Sequence, residues 1–205
     1  MLRAGDLRRQ WGELAGRAPA AVALGDDLLA RWSEPHRRYH NLDHLRAVLS
    51  HLDRLGPAST AARLGAWYHD AVYQPDRPDN EESSAVLARS GLGAIGVEAG
   101  TVDQVVRLVR LTTSHEAGSD DTDGAQLCDA DLAVLGSVPP AYEAYRRAVR
   151  DEYGAVAEDA WRRGRTLVLE GFLTRDHIFA TPTGRRLWEA AARANLIGEL
   201  ADLRV

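Results

Sequence analysis

The chain has 205 residues and a formal net charge of -5, with 30 acidic side chains against 25 lysines and arginines. This charge argues against a nucleic-acid coat protein or a membrane-surface protein, because both need clustered positive charge. Hydrophobic residues make up 45% of the chain and charged residues 27%, which is typical of one globular domain. A single cysteine, Cys128, and the lack of a long apolar run favour a cytoplasmic protein without disulfides.

Apolar residues recur at helical spacing along most of the chain, and no segment alternates as a strand should. The pattern predicts one all-α domain, a single multi-helix bundle over residues 1–205. The sequence GLGAIG at 91–96 is expected to be a turn between helices, since no strand precedes it as a dinucleotide site requires. Polar loops are expected at 74–80 and 114–124. Helices are predicted near 5–17, 20–33, 81–90, 139–154, 157–173 and 183–202, and on the apolar stripes at 42–52, 64–72, 102–109 and 127–135.

Several histidines and acidic residues lie in or next to these apolar stripes in the sequence. His40 and His44 are four residues apart in RRYHNLDHLRAVL, which predicts that they share one helix face. The sequence WYHDAVY places His69 and Asp70 inside an otherwise apolar helix. Burying these two side chains is costly unless a partner such as a divalent cation compensates.

A further carboxylate falls on the apolar stripe of LCDADLAVLG. Asp131 lies four residues after Leu127 and four before Leu135, whereas Asp129 falls on the other side of the helix and is expected to be solvated. The predicted metal ligands are therefore His44, His69, Asp70 and Asp131. Two neutral imidazoles and two carboxylates match one divalent ion, and this set does not distinguish Mn, Fe, Co, Ni, Zn and Mg.

The order H…HD…D on an all-α chain resembles the HD-domain metal-dependent phosphohydrolase superfamily, and the whole chain resembles small bacterial predicted HD phosphohydrolases. Two segments are also similar to cyclic-nucleotide phosphodiesterases: the YHN-x-x-H motif at 39–44 and the Ala-Asp-Leu segment at 130–132. The resemblance implies that His40 donates a proton to the leaving oxygen and that His44 binds the metal. The chain lacks the second histidine that those phosphodiesterases carry soon after His-Asp, so cyclic nucleotides are not implied.

Several further residues have both a structural and a functional interpretation. Glu81 could orient a water near the metal, or it could be an acidic residue in a first helical turn capped by Asn80. His115 could contact a phosphate or a second metal, or stabilise a helix C-terminus. Arg38 and its neighbour Arg37 could hold a phosphate or serve as solubilising residues.

Asn41, in the same motif, is a candidate substrate contact, and the remaining histidines (His36, His51 and His177) are expected at the surface.

Together these features predict a phosphohydrolase that cleaves a small phosphate ester, such as a nucleotide, with metal-activated water. Asp70 would accept the proton of the attacking water, and His40 would protonate the leaving alkoxide. One ion is favoured, and a second would have only His115 and Glu81 as additional ligands. The alternatives are a di-iron HD-type oxygenase and a catalytically silent metal- or nucleotide-binding protein. Neither duplex nucleic acid nor a membrane is an expected partner, and the oligomeric state is left open.

Overall fold

The computed structural model describes residues 4–204, and within this range the chain is all-α, as the sequence predicts. None of the described helices is long and apolar enough to cross a membrane. The elements are α1 (Ala4–Ala15), α2 (Pro19–Arg31), α3 (Leu42–Leu55), α4 (Thr60–Tyr68), α5 (Asn80–Ala94), α6 (Ala99–Leu111), α7 (Thr122–Leu132), a 3-10 turn (Ala133–Gly136), α8 (Pro139–Glu152), α9 (Glu158–Leu173), α10 (Pro182–Gly184), a π-helical segment (Arg185–Glu189) and α11 (Ala190–Leu203).

The first seven helices enclose one hydrophobic cluster. The stripe on α3 is buried as predicted: Leu45 and Leu52 are fully buried, and Leu49 nearly so. Trp32 and Trp67 fill the middle of this cluster, and the indole N–H of Trp32 donates to the carbonyl of Trp67 at 3.0 Å. This bond fixes the end of α2 against the end of α4, the position at which His69 follows.

The C-terminal helices form a second hydrophobic cluster around Phe179, Trp188 and Leu196. Leu55, at the end of α3, packs against both clusters. The second cluster therefore lies beside α3 and α7, and it brings the end of α8 to the segment that precedes α3.

Several boundaries differ from the prediction, among them α7, which begins at Thr122 inside the predicted loop 114–124, and the following three. The helix α4 ends at Tyr68, so His69 is its C-cap and Asp70 lies in the following turn rather than inside a helix. His40 precedes α3, whose N-cap is Asn41, so the two histidines of the motif do not share a helix face. The helix α5 continues to Ala94, so most of GLGAIG is helical, and the chain leaves the helix through Gly96 at a φ of 80°.

Candidate metal centre

The two helix ends place the predicted ligands. The side chain of Asn41 accepts a hydrogen bond from the amide of Asp43 at 2.8 Å and so starts α3, which puts His44 in the first turn of a well-capped helix. At the end of α4 the chain turns directly after His69, and this turn allows two adjacent residues to point towards the same place. Adjacent residues within a helix diverge by roughly 100°, whereas His69 and Asp70 at the turn both reach the side chain of His44.

Four donor atoms meet at this point. His44 Nε2 lies 3.1 Å from His69 Nε2 and 3.0 Å from Asp131 Oδ1. Asp70 Oδ2 lies 3.1 Å from His69 Nε2 and 3.6 Å from His44 Nε2. The compact group is His44, His69 and Asp131, whose donor atoms all lie within 4.8 Å of one another. Asp70 adjoins the two histidines of this group.

The donor set fits a divalent cation. Imidazole nitrogens and carboxylate oxygens bind ions such as Zn²⁺ at about 2.0–2.2 Å, so neighbouring ligands of one ion lie about 3.0–3.5 Å apart. The separations around His44 and His69 are 3.0–3.6 Å. His69 Nδ1 lies 2.9 Å from the carbonyl oxygen of Ala66. A histidine that donates from Nδ1 presents an unprotonated Nε2, here directed at the other three donors.

The electrostatic field at the centre also favours a positive charge. Burial disfavours the charged form of His69, yet Asp70 and Asp131 outweigh it and raise the pKa of His69 well above its usual value. Burial likewise opposes ionisation of Asp131, but His69, His115 and His44 hold its pKa well below the usual range. At neutral pH the two carboxylates are therefore charged, and their field would stabilise a bound cation as it stabilises an imidazolium.

His115 contacts the other oxygen of Asp131. The helix α6 ends at Leu111, so His115 lies four residues beyond it, and its φ of 54° is in the left-handed region that non-glycine residues rarely adopt. In this conformation His115 Nε2 reaches Asp131 Oδ2 at 2.8 Å, while Asp131 Oδ1 faces the histidine pair. His115 thus orients a candidate ligand, a position that neither of its sequence-based interpretations specified.

A residue that the sequence analysis missed, Glu152 at the end of α8, holds His40. Its Oε1 accepts hydrogen bonds from the backbone amides of Arg38, Tyr39 and His40 at 2.8–2.9 Å. Its Oε2 lies 2.6 Å from His40 Nδ1 and accepts from the hydroxyl of Tyr73 at 3.0 Å. Glu152 therefore shapes the backbone before α3 and also orients the imidazole of His40.

This contact changes both pKa values. Burial disfavours the charged form of His40, but the hydrogen bond to Glu152 overcomes it and raises the pKa of His40. Burial likewise disfavours ionised Glu152, yet the bond to His40 and the backbone amides lower the pKa of Glu152 to about 2. The pair is thus a carboxylate and an imidazole with increased basicity. The signal for Glu152 was present in the sequence, since Tyr142, Tyr145, Val149 and Glu152 have the 3-4-3 spacing of one helix face.

Both interpretations of Arg37, as a phosphate ligand and as a solubilising surface residue, are wrong. Its side chain is buried, and its guanidinium donates to the carbonyl oxygens of His40, Asp70 and Ala71 at 2.7–3.2 Å. Arg37 therefore joins the segment before α3 to the turn after α4. Arg38 remains available, because its exposed side chain has no carboxylate partner within residues 4–204.

Asp129 is not solvated, which corrects a second expectation. It is 1% exposed, and it accepts hydrogen bonds from the amides of Ala180 and Thr181 and from the hydroxyl of Thr181 at 2.6–2.8 Å. The side of α7 away from α3 is covered by the segment before α10. Asp129 holds this segment and makes none of the contacts of the metal centre.

Two clefts open onto the centre, and both include Tyr39 and Asp131 in their walls. One, the tyrosine cleft, has a volume of about 460 Å³ and contains His40, Asp70, Glu81 and His115. The other, the α3 groove, has a volume of about 560 Å³ and contains Arg38 and Asn41. The tyrosines that give the first cleft its name are Tyr39, Tyr73, Tyr145 and Tyr153.

The remaining candidates have the following positions. Glu81 is half-buried in the tyrosine cleft, and it has no hydrogen-bond or ion-pair partner in the described part of the chain. Asn80 is the first residue of α5 rather than its N-cap, and its side chain bonds Gln74 and Arg77, closing the loop 74–80.

Asn41 also donates to the carbonyl of Arg38 at 2.9 Å. Of the histidines expected at the surface, His177 is exposed, whereas His36 and His51 are half-buried, with bonds to the carbonyls of Tyr73 and Ala130.

No protein-family model, no curated protein and no solved structure matches this chain. Residues 4–204 are all-α, and they include the buried His44 and His69 and the half-buried Asp131, a group that could hold a metal ion.

Proposed function

We propose that this chain is an HD-type, metal-dependent phosphohydrolase that acts on small phosphate esters. One observation carries the proposal: the donor atoms of His44, His69, Asp70 and Asp131 converge beside a cleft whose wall holds two of them, Asp70 and Asp131, and a carboxylate-oriented histidine, His40. A cation site beside a proton donor is the arrangement that phosphate-ester hydrolysis needs.

In this proposal the four converging residues hold one divalent ion. When bound, the ion supplies a charge that polarises a phosphoryl oxygen and lowers the pKa of water to about 7. Asp70, which lines the tyrosine cleft, would help to hold the ion and would accept the proton of the attacking water. Without the ion, burial opposes ionisation of Asp70, but the charge and hydrogen bond of His69 hold the pKa of Asp70 far below its usual value. With the ion bound, His69 would be a neutral ligand, and the charge of the ion would keep Asp70 ionised.

His40 supplies the proton to the leaving oxygen. Because Glu152 engages Nδ1 of His40 at 2.6 Å, a protonated His40 has its Nε2–H free to donate. The raised pKa of His40 keeps a larger fraction of the imidazole protonated at neutral pH. Glu81 is the second candidate for orienting water, and Arg38 is the candidate contact for a phosphate oxygen. Asn41 and His115 act as positioning residues.

The test combines metal analysis with a hydrolysis screen. Purified protein is expected to contain about one divalent ion per chain and to hydrolyse p-nitrophenyl phosphate, bis-p-nitrophenyl phosphate or a member of a nucleotide panel. Asp131→Asn should lose ion and activity together, and Asp70→Ala should do the same.

His40→Ala should retain the ion and slow turnover by about 10²–10⁴-fold, the usual contribution of a positioned acid. The control is Asp103→Asn, which alters an exposed carboxylate on α6 that pairs with Arg89 and should change neither property.

Four results would contradict the proposal. Absence of bound metal, or full activity in Asp131→Asn, would remove the cation from the mechanism. Two irons per chain with no hydrolysis would favour oxygen chemistry instead. Metal or nucleotide binding without turnover on the whole panel would favour a binding protein.

A further inference from the structure

The α3 groove runs along one face of α3 from the metal centre towards the end of the helix. Its α3 wall consists of Asp43 and of a set of residues that recur at helical spacing: His44, Ala47, Val48, His51 and Arg54. The opposite wall includes Ala130, Asp131 and Trp188. The groove therefore begins at two of the candidate metal ligands and reaches Arg54.

The guanidinium of Arg54 has no carboxylate partner among the residues that the structure describes. The two acidic residues of α3 form ion pairs with other arginines: Asp43 pairs with Arg46 at 2.6 Å, and Asp53 pairs with Arg63 at 2.7 Å. The guanidinium of Arg54 instead lies 5.5 Å from the ring centre of Trp188. An arginine held against an aromatic face keeps its donors available and loses little conformational entropy on binding an anion.

The tyrosine cleft offers no comparable group. Among the residues that line it, the one arginine is Arg77, and this side chain forms two hydrogen bonds to Asp79 at 2.6 and 3.0 Å. The same cleft contains Asp70, Glu81 and Asp131. The α3 groove also contains two carboxylates, Asp43 and Asp131, but Asp43 is paired with Arg46, and the groove adds Arg38 and Arg54, which have no carboxylate partner within residues 4–204. A second negative charge on a substrate is therefore bound more favourably in the α3 groove than in the tyrosine cleft.

The distance between the metal centre and Arg54 limits the ligand. His44 and Arg54 are ten residues apart on one helix, which corresponds to about 15 Å between their Cα atoms along the axis. The arginine side chain shortens this gap, because helical side chains lean towards the N-terminus. The gap still exceeds the separation of directly linked phosphates, so a diphosphate at the metal centre would not reach Arg54.

We propose, resting on the proposed function, that the substrate carries two separated anionic groups, and that Arg54 binds the group distant from the metal centre. The chemical class is a phosphate ester with a second phosphate or carboxylate several bonds away, as in a sugar bisphosphate or a nucleotide with two phosphates at different positions. Between the two anion sites, the half-buried Ala47 supplies an apolar contact.

The distance between the two proposed anion sites can be measured with a series of alkane bisphosphonates of increasing length. Their two phosphonates are separated by one, four, six or eight methylene carbons, and hexylphosphonate serves as the single-anion reference. Dissociation constants are measured by calorimetry on the full chain with Mn²⁺ present. We expect a maximum of affinity at an intermediate or long spacing, at least tenfold tighter than hexylphosphonate, and a decrease of this gain at high salt.

Substitutions of Arg54 test whether this residue causes the higher affinity of the bisphosphonates over hexylphosphonate. Arg54→Gln should reduce every bisphosphonate to the affinity of hexylphosphonate, and Arg54→Lys should retain part of the gain. Both changes are at an exposed helix position and should not unfold the protein. The control is Arg163→Gln on α9, which replaces another exposed arginine without a carboxylate partner in the described residues and lies outside both clefts.

The outcomes separate this proposal from the proposed function. Equal affinity of hexylphosphonate and all bisphosphonates would overturn the two-anion proposal and leave the hydrolase intact. Loss of hexylphosphonate binding in the wild type with Mn²⁺ present would refute the metal centre, and the two-anion proposal with it. A long phosphonate with a terminal carboxylate identifies the second anion: if it matches the bisphosphonate in an Arg54-dependent way, Arg54 accepts either group.

Discussion

Replacing Glu152 with glutamine tests how the proposed acid is positioned. Glutamine keeps a carbonyl oxygen for the three backbone amides that now donate to Oε1. It replaces the oxygen facing His40 Nδ1 with an amide group, which donates to an unprotonated nitrogen but repels an N–H. The change therefore spares the shape of the segment before α3 and disfavours the protonated form of His40.

The expected loss follows from the 2.6 Å contact between Glu152 and His40. A hydrogen bond to a charged group contributes about 1.5–3 kcal/mol. Since about 1.4 kcal/mol of barrier corresponds to a tenfold change in rate, kcat should fall about 10- to 100-fold in Glu152→Gln. The bond to Glu152 also raises the pKa of His40, so its loss should move the alkaline limb of the pH profile to lower pH.

The assay is the pH dependence of kcat/KM in wild type, Glu152→Gln, His40→Ala and the double variant, with metal content measured for each. If Glu152 acts through His40, its replacement should have little further effect in the His40→Ala background. Additive losses, an unmoved alkaline limb, or a loss of metal that parallels the loss of activity would refute this reasoning.

The remaining predictions concern stability and metal binding. Asp129→Ala should destabilise the fold by about 2–4 kcal/mol in urea unfolding, because it leaves donors of Ala180 and Thr181 without their acceptor; an unchanged midpoint would contradict this. His115→Ala should weaken metal binding about 10- to 100-fold in a chelator competition, since it removes the group that orients Asp131; unaltered affinity would make that contact incidental. The carboxyl of Glu152 has a pKa lowered to about 2 from an ordinary value of 4.5. Because the folded state binds this proton less readily than the unfolded state, the stabilisation is complete above about pH 4.5 and is lost as pH falls towards 2. Urea unfolding at pH 6, 4 and 3 should therefore show the stability advantage of wild type over Glu152→Gln shrinking with acidity, and a constant advantage would argue against the shift.

Local periodicity was sufficient to predict the helices and some of the ligands of the candidate metal centre. The stripes on α3, α6 and α7 are buried as their spacing indicates. Asp131 was found because a carboxylate on an apolar stripe needs a partner, and the structure brings it within 3.0 Å of His44. The same rule applied to α8 would have singled out Glu152.

Only the tertiary structure decided which segment packs against each face of a helix. Asp129 is on the far side of α7, which local spacing marks as solvent, yet a segment 51 residues later in the sequence covers it. Glu152 and His40 are 112 residues apart, and no periodicity within either segment records that they meet. The sequence by itself determined which helix faces are apolar, because that depends on residues three and four apart. Which side chains converge on one point was decided only by the packing of those helices, since the partners come from distant segments whose relative positions no local pattern contains.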